Sequence, residues 1–170
     1  MNATRRTLWK PVEVPTNVIE VVAAGDDEAM KGVLEVRRRV FSLEQGVPDL
    51  RVEDPDDVRS LNALAWLLPA ADDARRVAVG TGRLTLSPFR GGNSLIAWVA
   101  TLPEYRGQRI GHEIMRFLLR ASDAAGARQV TLAAQVPAEH FYRRLGFITD
   151  GPRYDVRGIP HVRMVRYRGR

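Results

Sequence analysis

The chain predicts a mixed α/β sheet in three layers, α+β in character, and three features point to it. Val77 to Leu86 and Ser94 to Thr101 are β-rich and flank a loop carrying Gly91-Gly92-Asn93, the pattern of an antiparallel hairpin. From Gly107 to Ala125, apolar residues fall at Ile110, Ile114, Phe117, Leu118 and Ala121, the stripe of a helix lying on a sheet. Gln129 to Ala134 then reads as a short apolar strand. The irregular order of helical and extended segments argues against a repeated βαβ unit.

In chain order, the first 17 residues, with Pro11 and Pro15, read as an extended lead-in, and residues 18–170 as a single domain. Asn17 to Ala23 is a strand. Asp26 and Asp27 are N-cap residues for a helix through Phe41, with Met30, Val33, Leu34, Arg37 and Phe41 near helical spacing, and the segment Glu44-Gln45-Gly46-Val47-Pro48-Asp49 breaks it. Leu61 to Leu68 fits either a strand or a short buried helix, and Pro69 ends it. Gly80-Thr81-Gly82 lies within a strand and predicts a bulge or a close backbone approach. Gly126 suits the C′ position of the long helix. Pro137 to Leu145 is a short helix opened by proline, and strands follow around Ile148 to Tyr154 and Val162 to Tyr167.

Composition narrows the chemistry. The 170 residues are 45% hydrophobic and 27% charged, the balance of a globular domain. With no cysteine, disulfides, thiolate metal sites and cysteine nucleophiles are excluded. His112, His140 and His161 lack metal-ligand spacing, so no metal is expected. No apolar run reaches the ~18 to 20 residues of a membrane span, and the N-terminus lacks a secretory apolar core. The expectation is a cytoplasmic protein without a membrane partner.

The net charge of +6 is unevenly spread. Glu44, Asp49, Glu53, Asp54, Asp56 and Asp57 crowd one segment, which could attract a cation, whereas Gly151 to Arg170 holds six arginines. Those arginines alternate with apolar residues from His161 to Tyr167, the pattern of a half-buried strand rather than of a basic groove-binding helix. Nucleic acid is therefore not the expected partner.

The segment Trp98 to Gly111 feeds a strand through a short loop into the long helix. A helix start offers amides without intrahelical partners together with the positive end of the macrodipole, so a diphosphate can sit there. Gly107 and Gly111 permit close approach. Taken alone, the same glycines also suit helix-strand packing, and neither a Walker A nor a Rossmann glycine pattern is present.

Arg106-Gly107-Gln108-Arg109-Ile110-Gly111, with the preceding Pro103-Glu104-Tyr105, resembles the acyl-CoA loop of the GCN5-related N-acetyltransferase (GNAT) family. Phe141-Tyr142-Arg143-Arg144-Leu145-Gly146-Phe147 is similar to its second signature. Val40-Phe41-Ser42-Leu43-Glu44-Gln45-Gly46-Val47-Pro48 and Gly158-Ile159-Pro160-His161-Val162-Arg163-Met164 resemble segments of the ElaA-like branch. The resemblance covers nearly all of residues 18–167. Two positions depart from it: Arg109 stands where most of the family has glycine, and Asn62 where a histidine is expected. A negative, helix-start φ at Arg109 would accommodate the first departure.

The resemblance implies the acyl-CoA N-acyltransferase fold with splayed central strands, and acetyl-CoA as co-substrate. It implies pantetheine against the backbone of Val99, Ala100 and Thr101, and diphosphate on amides of Gly107, Gln108, Arg109, Ile110, Gly111 and His112. Arg106 would add charge, and Gln135 would touch the cofactor. Tyr142 would be the general acid, since a phenol needs only hydrogen-bond reach to protonate a departing thiolate. A protonated amine acceptor must also lose a proton, for which Glu44 is the first choice among Glu44, Glu53, Asp54 and His161. The expected acceptor is a small-molecule or peptide amine, cationic in character, and Trp66 could line its pocket. Two copies could pair through the C-terminal strands. Two other readings remain open: a non-catalytic acyl-CoA-binding domain, and an acyl-homoserine-lactone synthase.

Overall fold

The computed structural model describes residues 18–68, 75–89 and 91–169. The lead-in with Trp9, and Pro69, lie outside them. Seven strands form one sheet in the order β1-β2-β3-β4-β5-β7-β6. They are β1 Val18–Ala23, β2 Leu61–Leu68, β3 Val77–Leu86, β4 Asn93–Thr101, β5 Gln129–Gln135, β6 Ile148–Val156 and β7 Ile159–Tyr167. All neighbours are antiparallel except β4 and β5. The ambiguous segment 61–68 is thus a strand, paired on both edges.

Helices cover both faces, completing the three layers. On one face, α1 (Asp27–Arg37) packs Ala29 and Val33 against Leu64 and Trp66 of β2. On the other, α2 (Ile110–Ala124) packs Ile110, Ile114, Met115 and Leu118 against a cluster that includes Ala63 and Ala65. Alternate residues of β2 therefore serve opposite layers, as the period-2 strand requires. Gly80 and Gly82 let α2 sit close: a Cβ on either would come within 2.8 or 2.9 Å of Ile114. Both alternatives read from these glycines occur, the close approach of α2 and an irregular register beside Gly80 and Gly82.

Asp26 caps α1 as expected, accepting from the Ala29 amide at 2.8 Å. The helical path does not stop at Phe41. It widens into a π-helical turn over Arg38–Glu44, then ends at Gln45 and Gly46, where φ is +70°. Helix α2 starts at Ile110, later than expected, because Pro103–Tyr105 forms a separate 3-10 turn. Its C-terminus meets Gly126 at φ +76°. The Pro137 segment is a 3-10 turn, Val136–Ala138, followed by α3, Glu139–Arg143. In β7, Val162, Met164 and Val165 are buried while Arg163 stays outside, the half-buried pattern read from the sequence.

Two features of β4 open the sheet. Thr81 pairs with Ala100 but Arg83 pairs with Ala97, so β4 carries one extra residue, and Trp98 takes it up at φ 56°. A bulge of this kind bends and twists its strand. On its other edge, β4 pairs with β5 only at Asn93, Ser94 and Leu95. Beyond that point the strands part, and among the described residues no strand lies along that edge from Ile96 to Thr101.

Candidate active site

The parted strands open a cleft of about 920 Å³. It is lined from β4 by Trp98 to Thr101, from the loop and start of α2 by Arg106, Gly107, Arg109, Ile110, Gly111 and His112, and from β5, α3 and β7 by Gln135, Tyr142 and His161. Of the expected cofactor residues and the first-choice acid and base, only Gln108 and Glu44 lie outside this lining. Three distant stretches of sequence converge because the bulge turns β4 away from β5 and α2 begins where β4 ends.

At the start of α2, Glu113 is the first residue whose amide bonds back along the helix, to the Arg109 carbonyl at 3.1 Å. The amides of Ile110, Gly111 and His112 therefore have no intrahelical partner, and no side chain caps the end. Gly107 stands at φ +80°. Arg109 stands at φ 63°, which corrects the expectation of a negative φ. The loop needs a left-handed residue there, the conformation glycine adopts without a Cβ clash. A Cβ on Gly111 would meet the Phe141 ring at 3.6 Å and Thr101 Oγ1 at 3.7 Å, so this turn of helix is held between β4 and α3.

Tyr142 is buried between Phe141 and Phe147, with ring centroids at 5.0 and 6.0 Å. Burial pushes its phenol up to about 12. Among the described residues no hydrogen bond engages the hydroxyl. A phenol in this setting stays protonated and has its donor unspent.

Glu44 and Arg106 are bound to each other. Arg106 Nη1 donates to Glu44 Oε1 at 2.8 Å, Nη2 donates to Oε2 at 2.7 Å, and Nε donates to the Thr101 carbonyl at 3.2 Å. The rest of the acidic segment is also largely spent. Asp54 pairs with Arg83, Asp56 with Arg59, and Asp57 with Arg37 and Arg83. Among the described residues Asp49 and Glu53 are left without such partners. Where six acids were expected to form a cation entrance, two remain.

What the segment does instead is fasten a wall of the cleft. Arg37, fully buried, donates to both oxygens of Asp57, to the Val52 carbonyl and to Asn62 Oδ1. Asn62 donates in turn to the Asp57 carbonyl, so its place is structural. Trp98 Nε1 donates to Asp54 Oδ2 at 3.0 Å, the Arg37 guanidinium lies 4.9 Å from the indole centroid, and the Phe41 ring stands perpendicular to the indole with centroids 5.1 Å apart. Burial, the largest single influence on Asp54, pushes its carboxyl upward. The hydrogen bonds from Arg83, Trp98 and the Asp56 amide outweigh it and hold the carboxyl at about 2.

Sequence reasoning missed Phe41 and Gln45 as cleft residues and gave the Trp98 side chain no part in the cleft; their signal was their place in the Val40-to-Pro48 motif and beside the loop. Trp66 is not in the cleft lining: it is buried beneath α1 with Arg76 over its ring at 4.3 Å.

A family model described as an acetyltransferase (GNAT) domain matches residues 67–167, more than half of the chain. The chain belongs to the GNAT acetyltransferase family. Its GNAT relatives include the uncharacterized N-acetyltransferase YjcF of Bacillus subtilis strain 168, 27% identical over 87% of this chain and 99% of that protein. ElaA of Escherichia coli K12 is 27% identical over 79% of this chain and 84% of that protein, and the Escherichia coli ElaA crystal structure superposes with a TM-score of 0.73 at 24% identity over 89% and 99%. The crystal structure of an acyl-CoA N-acyltransferase from Pseudomonas aeruginosa gives a TM-score of 0.73 at 26% identity, covering 89% of this chain and 99% of that one. The fold is thus the GNAT acyl-CoA N-acyltransferase fold, and the ElaA-like resemblance read from the motifs holds in sequence and in structure. Among the described residues no group of three or more His, Asp or Glu side chains is placed to hold a metal, and no helix is long and apolar enough to cross a membrane.

Proposed function

We propose that the protein transfers the acetyl group of acetyl-CoA to a primary amine, with both substrates bound together in the cleft. The observation that carries this reading is the meeting, in one cavity, of an unpaired strand edge, an uncapped helix start and an unspent phenol.

Each part fits a part of the co-substrate. The free edge of β4 at Val99, Ala100 and Thr101 offers backbone groups to the amides of a pantetheine arm, much as a neighbouring strand would use them. The open amides at Ile110, Gly111 and His112, with those of Gly107, Gln108 and Arg109 before them, suit a diphosphate, and the α2 dipole adds positive potential. Arg109 and Arg144, both at the cleft, add charge. Acetyl-CoA supplies an acyl thioester, and Tyr142 can give its proton to the thiolate that leaves.

The unpartnered Tyr142 hydroxyl favours catalysis over simple binding, because nothing in the packing uses that oxygen. Tyr142→Phe tests the point. Thiol release from acetyl-CoA in the presence of an accepted amine should fall by about 100-fold, with acetyl-CoA affinity and folding stability little changed. A variant as active as the wild type would leave the phenol a packing residue.

A further inference from the structure

Resting on the acetyl-transfer reading, we infer that His161 is the catalytic base that takes the proton from the acceptor amine. His161 is half-buried in β7 at the cleft, just before the buried Val162. Its Nδ1 lies 2.7 Å from the Ile159 carbonyl oxygen. A carbonyl only accepts, so Nδ1 carries the hydrogen, and in the neutral ring the lone pair is on Nε2. Tyr154, its register partner on β6, lies beside the ring with centroids 6.1 Å apart and planes 28° from parallel. Nε2 has no partner among the described residues and is not enclosed. The backbone thus holds one nitrogen and leaves the other, with its lone pair, to the cleft.

The surroundings place His161 on the acceptor side. Its register partner on β5 is Gln135. Gln135 exchanges amide contacts with Gln45 at 3.3 and 3.5 Å. Gln45 follows the π-helical turn that packs over β4, so this amide pair bridges the two parted strands. An acceptor entering beside it meets uncharged amides, the Phe41 and Trp98 rings, and Nε2. Other bases in or beside the cleft are engaged or stand away from the acceptor side. Glu113 is paired to Arg116, and His112 sits in the first turn of α2, among the amides offered to the diphosphate. Glu44 is held by Arg106 at both oxygens.

The step balances without another reagent. The amine nitrogen, freed of its ammonium proton to solvent, attacks the thioester carbonyl; the C–N bond forms and the C–S bond breaks. The second nitrogen proton passes to Nε2 of His161, the Tyr142 hydroxyl protonates the sulfur, and water returns the proton from imidazolium to phenolate.

The test uses the full chain with acetyl-CoA and three probe amines, glycinamide, glucosamine and spermidine. His161→Ala and His161→Gln should lower kcat/KM for the best probe by about 100-fold. Acetyl-CoA affinity should stay within twofold, and added imidazole should restore His161→Ala at least tenfold but not His161→Gln. Long-range ¹H–¹⁵N correlation of the wild type, assigned against His161→Gln, should show Nδ1 protonated and Nε2 bare. Variants within threefold of wild type, or a ring protonated at Nε2 alone, would overturn the assignment. Acetyl-CoA binding without thiol release for any probe would instead overturn the transfer reading, and the base with it.

Discussion

Glu44 and Arg106 close on each other through two contacts, at 2.8 and 2.7 Å, so the acid first expected to take a proton and the cation expected near the diphosphate neutralise one another. Both side chains are partly exposed, and such pairs contribute about 0 to 1 kcal/mol. Glu44→Gln should therefore leave folding stability nearly unchanged and free Arg106 for the phosphates. Acetyl-CoA affinity by calorimetry should rise by up to about fivefold, the factor that 1 kcal/mol allows, and turnover should change by less than threefold. A fall in kcat of about 100-fold would make Glu44 the base after all.

Arg109 occupies a left-handed conformation at φ 63° without any side-chain cap in return. Arg109→Gly should raise stability by about 1 kcal/mol, and a domain of this size should melt about 2 to 4 °C higher. Arg109→Ala keeps the Cβ and should show no rise. Thermal unfolding of both variants separates backbone strain from loss of charge, and equal melting temperatures for the two would contradict the strain.

Much of this architecture was legible in the sequence, and what escaped has a common cause. Apolar patterning marked six of the seven strands and both long helices, because burial imposes periods on apolar residues, and left only Leu61–Leu68 open between a strand and a buried helix. Gly80 and Gly82 announced a bulge or a close approach, though not that α2 is what comes close. The bulge at Trp98 and the left-handed Arg109 gave no such warning, since neither residue type signals a positive φ. The π-helical turn after Arg37 was equally silent. Nor could charge counting show that Arg37 and Arg83, buried in the helix and the sheet, neutralise Asp54 and Asp57 from a distance in sequence.

The Asp54 carboxyl, held at about 2, ties folding to pH. Its folded value lies below its ordinary one, so its contribution is present above about pH 4 and is lost as pH falls through about 2. Asp54→Asn should lower the melting temperature at pH 7, and the gap from wild type should shrink steadily as the medium is acidified below about pH 4. Because Asp54 accepts from the Trp98 indole, the same variant should weaken acetyl-CoA binding by loosening the bulge that sets β4 apart from β5. A gap that is independent of pH would contradict stabilisation by the ionised Asp54 carboxylate.

The proposed transfer depends above all on acetyl-CoA lying in the cleft with its diphosphate at the start of α2. Gly111 is wedged there between Thr101 and the Phe141 ring, each within 4 Å of where a Cβ would stand, so an indole at this position would fill the loop. Calorimetric titration of acetyl-CoA into wild type and Gly111→Trp, with circular dichroism confirming that both are folded, addresses this placement without any knowledge of the acceptor. Micromolar binding, about −8 kcal/mol, is expected for wild type and none for the folded variant; equal binding by both, or none by the wild type, would contradict it.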